Sequence, residues 1–248
     1  MKTLLAKHRS IRKFRSEPIA PEVLQDMLEA ASRASTCGNM QLYSLIVTQS
    51  RELREALAPC HFNQPMVTQA PCVITVCADV HRFSMWCEQR DAEPCYDNFA
   101  WFLNGVTDAL LAAQNLCVEA EAHGLGICYL GTTIYTAEEI ARILDLPKGV
   151  IPVPTIVVGH PDESPELTDR LPLEGVVHYE KYTDYTAAEI DELWAEREES
   201  ELTKRLLEEN DLPNLAQVFT QRRYVRKDNL AISNSYFALL KEKGFFNN

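Results

Sequence analysis

The sequence predicts a mixed helix-and-strand domain built around one central, largely buried helix. Three observations carry that reading. Apolar residues recur at Val106, Ala109, Leu110, Ala113, Leu116, Cys117 and Ala120, close to a 3.6-residue period. Leu111, Ala112 and Val118 widen the stripe, which predicts a helix over 106–122 buried on more than one side. Short apolar runs at 42–47, 72–78, 127–130 and 152–158 read as strands. The third observation is bulk: 46% hydrophobic residues in 248 suffice for a real core and exclude general disorder.

In chain order, 4–7 begins a first helix. Pro18 to Glu22 starts a second, with proline where its missing N–H costs nothing, ending near Arg33 or Ala34. Residues 35–39 (Ser-Thr-Cys-Gly-Asn) suit a ligand loop or a plain turn. After the 42–47 strand comes a short helix over 51–57, then a loop or helix through 70 containing Asn63-Gln64. Residues 79–99 carry His81, Phe83, Trp86, Tyr96 and Phe99. They read either as an excursion covering a pocket or subunit contact, or as a locally packed helical hairpin. The central helix closes at His123-Gly124, with glycine at the left-handed cap. Thr136 and Glu139 predict a capping box for a helix over 137–144. Val176 to Tyr179 is a loop or an edge strand. Beyond it lie a charged helical region, 189–209, and a last helix ending before Gly244. These elements suggest a core over 1–185 and a C-terminal helical extension over 186–248 that packs on the core or on a partner chain.

Charge narrows the function. The formal net charge of -12 argues against nonspecific nucleic-acid binding. Yet Lys2, Lys7, Arg9, Arg12, Lys13 and Arg15 cluster at the start without an acidic residue, while 189–211 is strongly acidic. In His8-Arg9-Ser10-Ile11-Arg12, positions 8, 10 and 12 can share one side while Ile11 anchors the other. Arginine forks and a serine hydroxyl suit a phosphate. A solvated basic terminus is the alternative. Asp108, Gln114, Asn115 and Glu119 keep the central helix from being a membrane span. No hydrophobic signal segment follows Met1, so a cytoplasmic enzyme is expected.

Several chemistries find no support. The phosphate-loop and dinucleotide fingerprints are absent, as are a nucleophile elbow and an evident triad. Eight cysteines form no Cys-x-x-Cys pair, and Cys60, Cys87, Cys95, His61 and His81 match no compact zinc spacing. Glu119, Glu121 and His123 resemble a metal cluster only by proximity. Redox chemistry carried by a cofactor needs no such groups.

His8 to Phe14 followed by Pro18-Ile19 resembles the opening of the nitroreductase and flavin-reductase family. It is most similar to the oxygen-insensitive major NADPH nitroreductase and NADPH-flavin oxidoreductase branch. Asn63-Gln64, Gly124-Leu125-Gly126, Tyr129-Leu130-Gly131, Leu144-x-Leu146-Pro147, Val158-Gly159-His160-Pro161 and Arg170-Leu171-Pro172 continue the resemblance, over about 1–185 and loosely beyond. It implies an α+β nitroreductase-like fold with a central, mainly antiparallel sheet flanked by helices, in an intertwined homodimer that binds FMN near the interface.

By the same resemblance, His8, Arg9, Ser10 and Arg12 approach the FMN phosphate, ribityl chain and ring edge. Thr36, Cys37 and Gly38 line the flavin, Gln64 faces the ring, Leu130 and Gly131 give backbone contacts, and Arg170 returns to the phosphate. Arg197 is the candidate for the NADPH 2′-phosphate. The implied reaction is a ping-pong hydride transfer from NADPH or NADH, through the flavin, to a flavin, quinone or nitroaromatic acceptor. The flavin itself carries the chemistry, so no side-chain catalyst is implied. A flavin-binding or storage protein, or a relative performing dehalogenation or flavin fragmentation, are the alternatives. Two departures stand out: Thr168 replaces the first of a late basic pair, and cysteine and glycine replace hydroxyl residues in the 36–38 loop.

Overall fold

A computed structural model describes residues 2–247. The helices are α1 (Lys2–Leu5), α2 (Pro21–Ser32), α3 (Arg51–Leu57), α4 (Met66–Gln69), α5 (His81–Glu88), α6 (Phe99–Ala122), α7 (Ala137–Ile143), α8 (Ala187–Glu199), α9 (Glu201–Asn210), α10 (Leu215–Val218) and α11 (Arg226–Glu242). The strands are β1 (Tyr43–Thr48), β2 (Cys72–Asp79), β3 (Gly126–Leu130) and β4 (Val150–Gly159). They form one sheet in the order β1-β2-β4-β3, every neighbour antiparallel. The fold is α+β, a central antiparallel sheet flanked by helices.

The chain divides into two compact units, 1–166 with 232–248, and 167–231. The sheet belongs to the first. Strand alternation gives it two apolar faces. On one, Cys72, Ile74, Val76, Ile127, Ile156 and Val158 pack against α2 and α6 through Met27, Ala31, Ala109, Ala113 and Leu116. On the other, Val73, Cys128, Leu130 and Val157 meet Ile11, Phe14, Met66, Val67 and Ala70. Strand β4 is internal although it holds Pro152 and Pro154, which cannot donate to a ladder. The register shifts between Thr75 and Cys77, which face Thr155 and Pro152. That bulge places two β4 residues opposite Val76 and removes the need for a donor at Pro154.

The central helix begins earlier than the periodicity indicates, at Phe99, where the Asn98 side chain caps the Trp101 amide. Its buried residues form one broad face from Phe102 to Ala120. Leu110 and Leu111, expected in the buried stripe, are over 40% exposed and stand beside Leu103 on the outer face. Gly124 takes a left-handed backbone, as its position at the cap predicts. The capping box expected at Thr136 does not form, because the Thr136 hydroxyl donates to the Cys60 carbonyl and Glu139 pairs with Arg142. A capping box forms instead at Thr186 and Glu189, opening α8. Residues 79–99 pack locally: α5 turns back through an irregular segment, and Phe83, Tyr96 and Trp101 stack edge to face. Residues 176–179 form no strand. Among the described residues no helix is long and apolar enough to cross a membrane.

Candidate functional site

The basic opening segment lies along the free edge of β3. Ser10 bridges Ile127, and the Ile11 amide donates to the Ile127 carbonyl at 2.9 Å. This approach requires glycine at two paired positions. A Cβ on Gly126 would sit 2.6 Å from Ile11, and one on Gly159, its cross-strand partner, 2.5 Å from Pro71 and 3.1 Å from Phe14. Ile11 is buried and anchors the segment, as the alternation in its sequence predicts. Ser10 and Arg12 reach the Cys128 side of the strand. Burial pushes the Cys128 thiol up, and the Arg12 charge and a Ser10 hydrogen bond act against that rise. Arg12 is exposed, and its amide and that of Lys13 both donate to one oxygen of Glu163. Two consecutive main-chain donors on a carboxylate fix the local backbone.

His8 and Arg9 take different partners. His8 Nδ1 lies 2.6 Å from Glu121 near the end of α6. Arg9 donates to the Ser164 hydroxyl at 3.1 Å, while its buried Nε has no partner. Arg9, Glu121, Glu163 and Ser164 line a cavity of about 260 Å³ beside Gly126. The acidic cluster suggested by Glu119, Glu121 and His123 is thus divided. His123 Nε2 meets Glu119 and Asp26 at 3.3 and 3.2 Å, and Glu121 belongs to His8. Among the described residues no His/Cys/Asp/Glu group has metal-site geometry.

Gln64 and Gly131 join this side of the sheet. Gln64 is half-buried and lies two residues before Met66, which with Val67 packs in the same cluster as Leu130. Leu130 is buried at the end of β3, whereas Gly131 is exposed, with open space where a Cβ would stand. A planar ligand can therefore approach that backbone. His8 and Arg9 turn to Glu121 and Ser164, while Ser10, Arg12, Gln64, Leu130 and Gly131 are tied, directly or through chain neighbours, to one packed layer of Ile11, Met66, Val67 and Leu130.

Thr36, Cys37 and Gly38 are not. Their loop is anchored to α6, the helix covering the opposite face. The buried carboxylate of Asp108 accepts the Cys37 amide at 2.9 Å and the Leu42 amide at 3.0 Å. Between these two clamps Gly38, Asn39 and Gln41 are left-handed, with φ of 54°, 55° and 55°. A non-glycine residue there stores strain of about 1 kcal/mol or more, and Asp108 holds the strained backbone in place. The sequence shows Asp108 only as one of the polar residues on the central helix. Its signal was an acidic residue in phase with Gly105, Ala109 and Ala112 on the buried face.

Arg170 and Arg197 belong to the second unit. Arg170 is exposed and folds onto its own loop, donating to the Thr168 hydroxyl at 2.6 Å and the Asp169 carbonyl at 2.8 Å. Thr168, standing where the resembling branch has a cation, therefore binds the remaining one. Arg197 lies 3.6 Å from Asp169, with its guanidinium 5.4 and 5.9 Å from the Trp194 and Phe219 ring centroids.

An antiparallel sheet between helix layers, with a cationic segment along one edge and an open glycine at the strand end, defines an α+β domain of the nitroreductase type. A model of the nitroreductase family matches residues 5–160. An NADPH-dependent oxidoreductase of Staphylococcus aureus strain USA300 is 35% identical over 183 residues, 72% of each chain. The crystal structure of a candidate oxidoreductase from Bacteroides fragilis superposes with a TM-score of 0.97 at 48% identity, covering 99% of this chain and all of that one. An NADPH:FMN oxidoreductase of Vibrio harveyi, solved with NAD+, superposes at 0.82 with 27% identity, covering all of this chain and 99% of that one. The chain belongs to the nitroreductase family, and it is an oxidoreductase of the nitroreductase and flavin-reductase superfamily.

Proposed function

We propose that the protein is an FMN-dependent oxidoreductase of the NADPH nitroreductase and flavin-reductase branch. It would move hydride from NADPH, modestly favoured over NADH, to flavin, quinone or nitroaromatic acceptors by a ping-pong route. The observation that carries this reading is that Ser10 and Arg12 lie beside Cys128, in the cluster where Leu130, next to Gly131, packs with Met66 and Val67 of the Gln64 segment. The residues fit FMN: a cationic, hydroxyl-bearing segment for one phosphate, an amide side chain, and a backbone edge open to a flat ring.

When bound, FMN supplies the two-electron redox chemistry. The chain's part is to hold and tune it. Arg12 and the main-chain donors near Gly131 would stabilise negative charge at the ring edge, in surroundings kept dry by Leu130, Met66 and Val67. Thr36, Cys37 and Gly38 are anchored on the other face of the sheet, which favours a homodimer in which each flavin meets the 8–131 group of one chain and the 36–38 loop of its partner. The outward row Leu103, Leu110 and Leu111 on α6 is apolar surface suited to that association.

Denaturing the purified holoprotein tests the cofactor. Chromatography should identify released FMN, and aerobic NADPH oxidation should accelerate with menadione. Released FAD, or no flavin after reconstitution, would defeat the proposal. FMN bound without nicotinamide turnover would favour a storage role.

A further inference from the structure

His61 is fully buried between two segments that are far apart in sequence. Its Nδ1 lies 2.8 Å from the Thr132 hydroxyl, next to Gly131. Its own carbonyl accepts the Gln64 amide at 3.1 Å. The two residues between His61 and Gln64, Phe62 and Asn63, are both left-handed, with φ of 55° and 53°. Neither is a glycine, so this turn stores strain that its surroundings must hold. A second tie joins the same segments, from the Thr136 hydroxyl to the Cys60 carbonyl at 2.7 Å. Phe62 also packs on Tyr135, with ring centroids 6.0 Å apart.

We infer that His61 is a positioning residue: through Thr132 it locks the strained turn presenting Gln64 to the strand end presenting Gly131. The inference rests on the FMN reading, because Gln64 and Gly131 face the ring only in that reading. His61 Nε2 is buried without a partner. An imidazole is therefore a costly residue for packing alone, since an unpaired buried nitrogen is penalised where a leucine would not be. Burial lowers its pKa to about 4, so the ring stays neutral at ordinary pH and brings no charge to the flavin edge. Its contribution is the hydrogen bond and the geometry which that bond fixes.

The test uses the holoprotein and reads the FMN dissociation constant by flavin fluorescence, with the visible absorption of bound flavin as a second signal. His61→Leu and Thr132→Val should each weaken FMN binding about tenfold, the equivalent of one lost hydrogen bond. The double variant should be no weaker than the worse single, since one bond is lost in all three. His61→Gln, which can still reach Thr132, should recover part of the affinity and the wild-type spectrum. Leu57→Ala, a cavity in the neighbouring core, should lower the melting temperature without changing the affinity of folded protein. Should His61→Leu fail to fold, Thr132→Val carries the test alone. Wild-type affinity in folded His61→Leu and Thr132→Val, or multiplying losses in the double variant, would overturn the inference. A wild type that binds no FMN would sink the flavin reading and the inference with it.

Discussion

Two parts of the candidate site, the 8–14 segment and the 36–42 loop, are held in opposite ways. The first is fixed by shape. Ile11 and Phe14 enter a packed layer, and two glycines on β3 and β4 let the backbone come close. The second is fixed by one buried carboxylate, Asp108, which clamps both ends of a run of left-handed residues. Shape tolerates small polar changes and resists added atoms. A carboxylate clamp behaves the other way, tolerating outward bulk and failing when its two acceptors are lost.

The largest expected effect is at the clamp. Asp108→Ala leaves the Cys37 and Leu42 amides without partners, at about 1–3 kcal/mol each if both stay buried. Urea denaturation should show the two losses together, about 2–6 kcal/mol, with Asp108→Asn intermediate. An Asp108→Ala protein as stable as wild type would mean the loop does not depend on the clamp.

Next comes a change in pH. His61 has a folded pKa of about 4, lowered by burial alone, against 6.5 for an ordinary histidine. The unfolded chain takes up the proton first, so stability falls as pH drops from about 6.5 and levels off below about 4. The loss is roughly 3 kcal/mol over that window. Wild type and His61→Gln should therefore converge in stability as pH falls from 7 to 4. A constant difference would show that His61 is not buried neutral.

At the shape-held segment, Gly126→Ala drives a Cβ into Ile11, and overpacking of this kind costs about 1–3 kcal/mol. FMN affinity should fall with it, because Ser10 and Arg12 move with Ile11. Ile11→Ala removes the Cγ1 and Cγ2 atoms that the new Cβ meets at 2.6 and 3.0 Å, so it should cost less in the Gly126→Ala chain than in wild type, and equal costs would argue against close approach as the cause.

These two regions also explain what was legible. The alternation around Ile11 made its anchoring role legible, because an apolar residue set between Ser10 and Arg12 buries itself while its neighbours turn away. The strands and α2 followed from apolar runs and Pro21. Asp108 and His61 were silent, since a buried polar residue reads as an interruption of an apolar pattern until its partner is known. Leu110 and Leu111 misled for the converse reason: leucine marks burial, and an apolar outer face looks in sequence like a core face. The capping box at Thr136 failed because a tertiary acceptor, the Cys60 carbonyl, outcompeted the local amide.

The smallest effect is expected in the second unit. Arg197 already faces Asp169 and two aromatic rings, so only part of its charge is free for a nucleotide. Arg197→Ala should raise KM for NADPH a few-fold, less than the full worth of a charged hydrogen bond, and leave KM for NADH nearly unchanged. Equal changes with both donors would remove Arg197 from the 2′-phosphate contact.

The most direct measurement asks whether the two regions meet across chains. One chain carries both Arg12→Ala and Asp108→Ala and the other is wild type in one preparation; in a second preparation Arg12→Ala and Asp108→Ala sit on separate chains, and tandem affinity tags isolate each mixed dimer. With a site shared between chains, separating the two defects leaves one site intact and one doubly damaged, so the second preparation should hold one tightly bound FMN per dimer. Combining them on one chain damages both sites once each, and neither should bind tightly. Two equally weakened sites in the second preparation, with one intact site in the first, would place the whole site within a single chain and contradict the shared-site reading.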